Sequence, residues 1–492
     1  MKTSTTRRDF LATSAAAAAT CALGVGGARG ASAAGSDDEI RLAVVGLNGR
    51  GNSHLKIHHE ALGVRVVAVC DVDAKVLEAT AAKYSKTFGY RLDAVADYDE
   101  LLARTDIDAV SLATPNHWHA LQTIRALDAG KHVYVEKPVC HNVWEGEQML
   151  AAEARSEGIV IVGFQNRHMP AMIEAVDFVR SGQLGAIKTV RTTCDRNRAG
   201  IGRSDTPVAP PASLDYNAWL GPADDLPVYR PRYHYDWHWD VNTGNGDLGN
   251  QSPHELDIAR MFLGDPGHPT SVLSFGNRLG WDDAGNTCNM QGTLFTFADG
   301  ARLISEVRNL VKGDGAKAGS APGVPGVGVA VECEGGTVLA SRGQGAKILD
   351  REGLTVRKIR GGDRSRDVAT NFAEAIRAGD RSLVHTKLSS GFGSSCLAHF
   401  GNAAVRVGAM IGPEELAEVT ADRPLLAEVA TRYNTQLRAM GIETGADTWR
   451  WSGAYTLGEE AGRFDSGGDV AAANALLVRR GRAPYEIPEL VS

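Results

Sequence analysis

The chain has 492 residues, a formal net charge of −7 and 43% hydrophobic residues. This length predicts two or three domains with enough apolar residues for real cores. The small negative charge and the lack of a basic block argue against a nucleic acid partner. The seven cysteines show no C-x-x-C spacing, so we expect free buried thiols, with neither a metal site nor a disulfide framework.

Residues 1–35 are predicted to be an export signal and not part of the fold. Arg7 and Arg8 precede a mild, Ala-rich apolar run to about Gly27, and Ala31-Ser32-Ala33 offers small residues for cleavage. This pattern is typical of a twin-arginine signal. A membrane anchor or a disordered tail is the alternative, but the run is too short and Gly-broken for a stable span. We therefore expect a periplasmic or otherwise exported protein that receives its cofactor in the cytoplasm.

Strand-like apolar runs alternate with helix-like stretches across residues 38–165. The strand-like runs are Ile40–Val45, Val64–Cys70, Ala109–Leu112, Val133–Val135 and Val160–Gly163, and the helical stretches include Ala74–Lys83 and His119–Asp128. This alternation predicts an α/β fold with a doubly wound parallel sheet and helices on both faces.

The first of these runs leads into a Gly-rich turn, Gly46-Leu47-Asn48-Gly49-Arg50-Gly51. A strand, such a turn and a helix place backbone N–H groups where a pyrophosphate binds. Gly46 permits the tight turn and Gly51 permits close helix-to-strand packing, although Asn48 replaces the middle glycine of G-x-G-x-x-G. Asp71 follows the second run, where a dinucleotide fold places the carboxylate that binds the adenosine ribose. An ordinary β-turn-α unit is the plainer interpretation, but the register of turn, helix and carboxylate favours dinucleotide binding.

Three polar clusters are candidates for chemistry. Two of them, Thr114-Pro115-Asn116-His117-Trp118-His119 and Glu136-Lys137-Pro138, follow later strands at the edge where a doubly wound sheet binds ligands. The third, from Gly244 to Asp257, is a Gly-rich turn entering a helix, on which His254 and Asp257 share one face. A lysine with a carboxylate can hold and deprotonate a hydroxyl, and a histidine exchanges protons near neutrality. Solvated loops and helix capping are the plainer interpretations.

The pattern becomes rich in β-strands between residues 166 and 492. A helix-like stretch at Pro170–Ser181 and a strand at Lys188–Arg196 precede an aromatic-rich stretch from Thr206 to Trp239. The later runs predicted as strands are Thr270–Phe275, Thr287–Phe297, Arg302–Val307, Val327–Cys333, Thr337–Ser341 and Thr355–Ile359. We predict a second α/β domain with a large open, mainly antiparallel sheet and a C-terminal helical extension from about Gly412.

Together these residues resemble the Gfo/Idh/MocA family (glucose-fructose oxidoreductase, inositol dehydrogenase, rhizopine catabolism). The resemblance runs from about Ile40 to Gly264 and recurs weakly from His385 to Gly408. The segment Trp219-Leu220-Gly221-Pro222 and the aromatic run from Tyr233 to Trp239 are similar to its exported subgroup. The resemblance implies an N-terminal Rossmann domain and a C-terminal α/β domain whose open sheet covers the nicotinamide. It also implies NAD(P) chemistry on sugars, cyclitols or glycosides.

The resemblance assigns catalytic roles within the clusters. Lys137 matches the catalytic lysine of the family's Glu-Lys-Pro motif, and His254 matches its catalytic histidine. Many members carry Asp four residues before that histidine, where this chain has Asn250. Because an amide cannot act as a carboxylate base, proton transfer would fall to His254, Lys137 or the nearby Asp247.

The remaining candidates are divided between cofactor and substrate. The cofactor-binding set is Gly46, Asn48, Gly49, Arg50, Gly51, Asp71, Thr114, Pro115, Asn116, His119, Glu136, Lys137 and Gln165. The substrate-binding set is Arg167, Trp237, His238 and Asp257. Tryptophan and tyrosine side chains between Tyr216 and Trp239 suit stacking on sugar faces, with buried core aromatics as the alternative.

We expect hydride transfer from a sugar, cyclitol or glycoside hydroxyl to NAD, with His254 taking the proton and Lys137 stabilising the alkoxide. Asp71 without an adjacent arginine favours NAD over NADP, because a carboxylate repels a 2′-phosphate. An exported enzyme meets no free nicotinamide pool, so the cofactor should be tightly bound and reoxidised in place. An NAD-dependent glycosidase and a non-catalytic sugar-binding protein with a structural dinucleotide are the alternatives. The expected partners are a small carbohydrate and further copies of this chain in a homo-oligomer.

Overall fold

A computed structural model describes residues 39–362, 364–458 and 462–491. The predicted export signal at residues 1–35 lies outside these described residues. Within them, none of the helices combines the length and the apolar character needed to cross a membrane. The six cysteines in the described ranges are all free, and five of them are buried.

The N-terminal part is built on a parallel sheet with the strand order β3-β2-β1-β4-β5-β6. Its strands are Ile40–Val45 (β1), Val64–Cys70 (β2), Asp93–Val95 (β3), Ala109–Leu112 (β4), His132–Val135 (β5) and Val160–Val162 (β6). Every residue of β4 and β6 is buried, because helices cover both faces of such a sheet. The predicted doubly wound parallel sheet is confirmed.

Five helices connect these strands: Gly51–His59 (α1), Ala74–Phe88 (α2), Tyr98–Ala103 (α3), His119–Asp128 (α4) and Val143–Arg155 (α5). Local chemistry sets the bounds of α2, since Asp73 accepts hydrogen bonds from the backbone N–H groups of Lys75 and Val76, and Gly89 ends the helix in the left-handed region. The strand order reverses between β1 and β4, so the loops at their carboxyl ends diverge and leave a crevice for ligands.

The C-terminal part contains a sheet of eleven strands. They are Ile187–Cys194 (β7), Ser271–Asn277 (β8), Met290–Thr296 (β9), Arg302–Arg308 (β10), Val327–Cys333 (β11), Gly336–Ser341 (β12), Gly345–Leu349 (β13), Thr355–Arg360 (β14), Ala409–Ile411 (β15), Trp449–Leu457 (β16) and Phe464–Ser466 (β17). The order is β14-β13-β12-β11-β7-β10-β9-β8-β16-β15, with β17 on β16. Only β7 and β10 pair in parallel, which confirms the predicted large, mainly antiparallel sheet.

Helices join the two sheets into a continuous core. The helices of this part are Pro170–Arg180 (α6), Tyr216–Leu220 (α7), Gly246–Asn250 (α8), Pro253–Leu263 (α9), Ser365–Ala378 (α10), Leu388–Arg406 (α11), Pro413–Thr420 (α12), Pro424–Ala439 (α13) and Val470–Ala475 (α14). Helix α9 packs on β7 and β11, whereas α11 contacts β6 and α5 as well as β8 and β16. The apolar core therefore runs from Val162 in the parallel sheet to Leu256 and Phe400 without a break.

The C-terminal extension is only partly helical, which corrects the sequence prediction. Helices α12 and α13 form, but Trp449–Leu457 is a strand that pairs with β8 and β15. The pairing of β16 with β8 shifts register between Trp451 and Ala454, so the alternation of side chains that signals a strand is interrupted there. The short strand β13 was also missed, because its five residues follow a Gly-rich turn and carry little pattern.

Candidate functional site

The loops after β1, β2, β4 and β5 form one wall of a cavity of about 500 Å³, a size typical of cofactor and ligand sites. The opposite wall comes from the segment after β7, the loop before α8, the start of α9 and the turn after β12. We call this space the central cavity. Residues that line it include Gly46, Asn48, Gly49, Arg50, Asp71, Thr114, Pro115, Asn116, His119, Glu136, Lys137, Arg196, Arg198, Tyr235, Trp237, Asn250, Gln251, His254 and Arg342.

The Gly-rich turn has the local geometry that the sequence predicts. Gly46 has φ +83°, and a Cβ there would lie 2.8 Å from the backbone of Ala113. A Cβ on Gly51 would lie 1.9 Å from the carbonyl oxygen of Gly46, so only glycine lets α1 approach β1 this closely. No side chain caps the N-terminus of α1, and the N–H groups of Asn52 and Ser53 donate only to the nearby backbone oxygens of Gly49 and Arg50, so the positive end of the helix faces the turn where an anionic group would bind. Gly51 packs against the backbone of Gly46 and does not line the cavity.

Asp71 lies beside this turn at the end of β2. Its carboxylate accepts hydrogen bonds from the backbone N–H of Leu47 at 2.7 Å and of Asp73 at 3.0 Å. Burial raises the pKa of Asp71 in spite of these bonds. The loop thus holds the carboxylate in one position on the cavity wall, with oxygen lone pairs left for ribose hydroxyls.

Glu136 is bound to the Gly-rich turn through Arg50. Its carboxylate is bound by Nε of Arg50 at 2.7 Å and by Nε2 of His54 at 3.0 Å. Although burial opposes ionisation, these partners hold the pKa of Glu136 well below its usual range. The backbone N–H of Lys137 also donates to this carboxylate at 3.2 Å. Glu136 therefore fixes the backbone from which the Lys137 side chain projects.

Lys137 and His254 line the same cavity. Lys137 Nζ donates to the backbone oxygen of Asn250 at 2.6 Å, and burial lowers the pKa of its ammonium group. His254 lies in the first turn of α9, and its Nε2 is 3.3 Å from a guanidinium nitrogen of Arg342. Burial lowers the pKa of His254 well below its usual range, and the charge of Arg342 adds to this effect. The imidazole is therefore neutral near pH 7 and can accept a proton.

Asp247 does not line the cavity, which corrects its assignment as a candidate base. It is fully buried, and its two oxygens accept from Arg198 at 3.0 and 3.1 Å and from Asn309 at 2.6 Å. Burial alone would raise the pKa of Asp247, but the guanidinium of Arg198 lowers it. The carboxylate is thus a structural partner of Arg198. The side-chain amide of Asn250 donates to the same carboxylate at 3.1 Å.

The hydrogen bond from the Asn250 amide to Asp247 can be tested with the variant Asn250→Asp. The change replaces an N–H···O bond with two facing carboxylates, so we expect a loss of about 1–3 kcal/mol in the free energy of unfolding at pH 8. The repulsion raises the folded-state pKa of the new carboxyl group above its unfolded value of about 4, so the loss shrinks as the pH falls. Denaturation at pH 8 and pH 5 measures both effects. Asn250→Ala is the control because it loses the bond without repulsion, and an aspartate variant as stable as this control at pH 8 would contradict the prediction.

Arg167 and Asp257 are paired with each other away from the cavity, which corrects their assignment to substrate. Arg167 bridges Asp257 at 2.8 Å and Asp265 at 2.6 Å, and Asp257 also accepts from Ser394 at 2.8 Å. Asp257 is fully buried, and neither residue lines the central cavity. The pair ties the segment after β6 to α9 and thereby positions His254.

The predicted aromatic residues divide into two groups. Tyr233 and Trp239 are buried and do not line the cavity, so the core interpretation is right for them, whereas Trp219 is largely buried but also lines the cavity. Trp237 and Tyr235 line the cavity. His238 lies behind this wall, where its ring packs on Tyr235 with centroids 4.9 Å apart and its Nδ1 contacts the backbone oxygen of the same residue. His238 supports Tyr235 and does not face the cavity.

Three predicted cofactor residues make contacts that the sequence does not show. Gln165 is buried and donates to the backbone oxygen of Gly163 at 2.8 Å, so it lies outside the cavity. Thr114 donates to Gln122 at 2.7 Å and caps no helix. His119 lies on the cavity wall with its ring nitrogens 2.6 and 2.9 Å from the backbone oxygens of Pro138 and Thr114. It therefore holds two cavity loops together.

Sequence reasoning missed four arginines on the cavity wall, of which Arg125 lies on α4 and the other three follow strands of the second sheet. Arg196 and Arg198 follow β7, and Arg342 follows β12. Strands β7 and β12 flank β11 and are both antiparallel to it, so their carboxyl ends meet at one edge of the sheet. A search for basic residues at the end of a predicted strand or just beyond it would have found these three, since Arg196 ends the predicted strand Lys188–Arg196 and Arg342 follows Thr337–Ser341.

The fold and the cavity together define a dinucleotide-binding protein with a lysine and a histidine facing the ligand space. The uncapped helix α1, the steric need for Gly46 and Gly51, and the fixed carboxylate of Asp71 fit a dinucleotide. The Gfo/Idh/MocA model for the oxidoreductase family, NAD-binding Rossmann fold, matches residues 40–164, and the model for the family's C-terminal alpha/beta domain matches residues 179–321. The chain belongs to this family.

Its similarity to individual proteins is partial. The 1-carboxy-3-chloro-3,4-dihydroxycyclo hexa-1,5-diene dehydrogenase of Comamonas testosteroni is 26% identical over 53% of this chain and 56% of that protein. Levoglucosan dehydrogenase of Pseudarthrobacter phenanthrenivorans is 28% identical over 39% of this chain and 42% of that protein. A glycosyl hydrolase family 109 protein of Shewanella pealeana is 30% identical over 30% of this chain and 34% of that protein. The chain thus spans between a third and a little over half the length of these relatives.

Solved structures share the fold. Levoglucosan dehydrogenase in complex with NADH and levoglucosan has a TM-score of 0.53 at 20% identity, covering 73% of this chain and 95% of that chain. The aldose-aldose oxidoreductase of Caulobacter crescentus has a TM-score of 0.54 at 20% identity, covering 73% of this chain and 94% of that chain. At this identity the likeness establishes a common architecture only.

Proposed function

We propose that the protein is an NAD-dependent oxidoreductase that oxidises a hydroxyl group of a sugar, a cyclitol or a glycoside. One observation carries the proposal: Lys137 and His254, which are distant in sequence, line the cavity that also holds the Gly-rich turn and Asp71. Relatives named levoglucosan dehydrogenase and inositol 2-dehydrogenase support this class of substrate.

The side chains supply the proton chemistry and the positioning. When bound, the nicotinamide would accept a hydride from the carbinol carbon. The neutral imidazole of His254 would take the hydroxyl proton at Nε2, in place of the hydrogen bond that Arg342 donates to that atom, and the Lys137 ammonium would stabilise the developing alkoxide. Glu136 holds the Lys137 backbone, and Asn250 accepts from its Nζ, so the ammonium is positioned before the substrate arrives.

We also propose export through the twin-arginine route with NAD retained in the folded protein. The support is the sequence pattern of residues 1–35, in which Arg7 and Arg8 precede a mild apolar run. A retained cofactor must be reoxidised by the substrate, by a second sugar or by a partner protein. If the substrate reoxidises the cofactor, the same residues would serve a cycle in which the sugar is first oxidised and then reduced again.

The proposal is tested by mass spectrometry of the isolated protein for bound NAD(H) or NADP(H), followed by assays of NADH and product. Levoglucosan, myo-inositol and glucose test net oxidation, and a keto product supports the oxidoreductase. A glycoside without added cofactor tests the second candidate, an NAD-dependent glycosidase, which the similarity to a glycosyl hydrolase family 109 protein favours. Aglycone release without net NADH would identify that activity. A bound dinucleotide with no reaction on any of these substrates would leave the sugar-binding alternative and overturn the proposal.

The position of Asp71 predicts selectivity for NAD. We expect NAD to bind on the order of tenfold or more tightly than NADP, because the 2′-phosphate would meet a fixed carboxylate. The double variant Asp71→Ser, Val72→Arg should reverse this order in titrations of the dinucleotide-free protein. Asp128→Ser is the control, since Asp128 is an exposed carboxylate paired with Arg155. Tighter binding of NADP by the unmodified protein would refute this role of Asp71.

A further inference from the structure

The central cavity has opposite charges at its two ends. Asp71, Asp97, Asp99 and Asp215 line the end near β2 and β3, where Arg125 also lies and pairs with Asp99 at 3.0 Å. Lys137, Arg196, Arg198 and Arg342 line the end near β5 and α9. The strand order β3-β2-β1-β4-β5 separates these groups across the sheet. We call them the acidic end and the basic end.

The arginines of the basic end differ in their partners. Arg198 is satisfied, since it binds both oxygens of Asp247 and the hydroxyl of Tyr235. Among the described residues, the guanidinium of Arg196 donates to the amide oxygen of Gln251, at 3.2 Å, and the guanidinium of Arg342 donates to Nε2 of His254. Across residues 39–362, 364–458 and 462–491, no carboxylate lies within ion-pair distance of either guanidinium.

The carboxylates near this end do not neutralise the guanidinium groups of Arg196 and Arg342. Glu136 is bound by Arg50 and His54, and Asp247 is bound by Arg198. Glu255 is fully buried beside Gln251, and burial raises its pKa to about 7. The basic end therefore carries excess positive charge next to the proton-accepting His254.

We propose that the substrate is an anionic carbohydrate, whose carboxylate or phosphate group binds Arg196 and Arg342 while a nearby hydroxyl faces His254 and Lys137. This inference rests on the proposed function and narrows its substrate class. Planar guanidinium groups bind carboxylate and phosphate oxygens with two parallel hydrogen bonds. A neutral sugar would offer these guanidinium groups no opposite charge, whereas an anion would pair with both.

The experiment compares D-glucuronate, D-gluconate and D-glucose 6-phosphate with neutral D-glucose and myo-inositol, using NAD-loaded protein. Tryptophan fluorescence measures binding, and NADH formation measures turnover. We expect at least one anion to bind about tenfold or more tightly than glucose, with an affinity that falls as salt rises. Comparison of D-glucuronate and D-gluconate with D-glucose 6-phosphate shows whether the site prefers a carboxylate or a phosphate group.

The variant Arg196→Gln should remove most of this preference through KM, with kcat and NAD affinity nearly unchanged, and Arg196→Lys should restore part of it. Arg203→Gln is the matched control, because Arg203 is an exposed arginine of the same segment that does not line the cavity. Arg342→Gln should weaken anion binding too, as a second variant.

The outcomes separate the two proposals. Anion binding that depends on Arg196 without turnover supports the anion site and contradicts the oxidoreductase. Equal or better use of neutral sugars supports the oxidoreductase and overturns the anion site. Weaker NAD binding by Arg196→Gln with unchanged sugar binding would assign the arginine to the cofactor and overturn the anion site as well.

Discussion

Lys137→Ala and His254→Ala are each expected to lower kcat on the order of a hundredfold or more, the usual scale for positioned proton-transfer groups. Both side chains line the central cavity, and His254 is a neutral acceptor there. Steady-state assays with the substrate found in the screen above give kcat and KM. Isothermal titration should show that each variant still binds NAD, because the dinucleotide is expected to rest mainly on Gly46, Gly51 and Asp71.

Two surface residues provide the matched controls. Lys56→Ala and His59→Ala remove the same kinds of side chain from the exposed face of α1, and both should keep full activity. Lys137→Met serves as a second variant that keeps the length of the side chain without its charge. If Lys137→Ala and His254→Ala retained full activity with NAD bound, the active site proposed here would be in the wrong place.

Gly51→Ala is expected to destabilise the protein and to weaken NAD binding together. Its Cβ would lie 1.9 Å from the carbonyl oxygen of Gly46, so β1 and α1 must move apart. Overpacking of this kind costs about 1–3 kcal/mol in the free energy of unfolding. The movement also displaces the turn, and we expect NAD affinity to fall on the order of tenfold or more. Chemical denaturation and dinucleotide titration measure the two effects.

Gly49→Ala separates crowding from the simple loss of a glycine. No atom lies within 4 Å of a Cβ built on Gly49, so its stability should stay within about 0.5 kcal/mol of the unmodified protein. Equal losses of stability in Gly49→Ala and Gly51→Ala would show that close packing of α1 on β1 is not the reason for the glycine.

The amino-acid sequence by itself determined the parallel sheet and the turn that opens onto the cavity. The predicted strands Ile40–Val45, Val64–Cys70 and Ala109–Leu112 match the structure residue for residue. Strands buried on both faces need continuous apolar residues, so the signal lies within each segment. The positive φ of Gly46 and the contact of Gly51 with the Gly46 carbonyl are equally local, because they follow from the turn between one strand and the next helix, whereas the crowding of Gly46 by Ala113 comes from the tertiary structure.

Only the tertiary structure decided the roles of the charged residues. Arg167 and Asp257 have the chemistry of substrate ligands, but folding pairs them with each other. Asp247 has the chemistry of a base, but it is buried against Arg198. Arg196 and Arg342, which belong to no recognised motif, are left without carboxylate partners beside His254. A charge acts on a ligand only when the fold leaves it unpaired at a cavity, and that pairing depends on contacts between residues far apart in the chain.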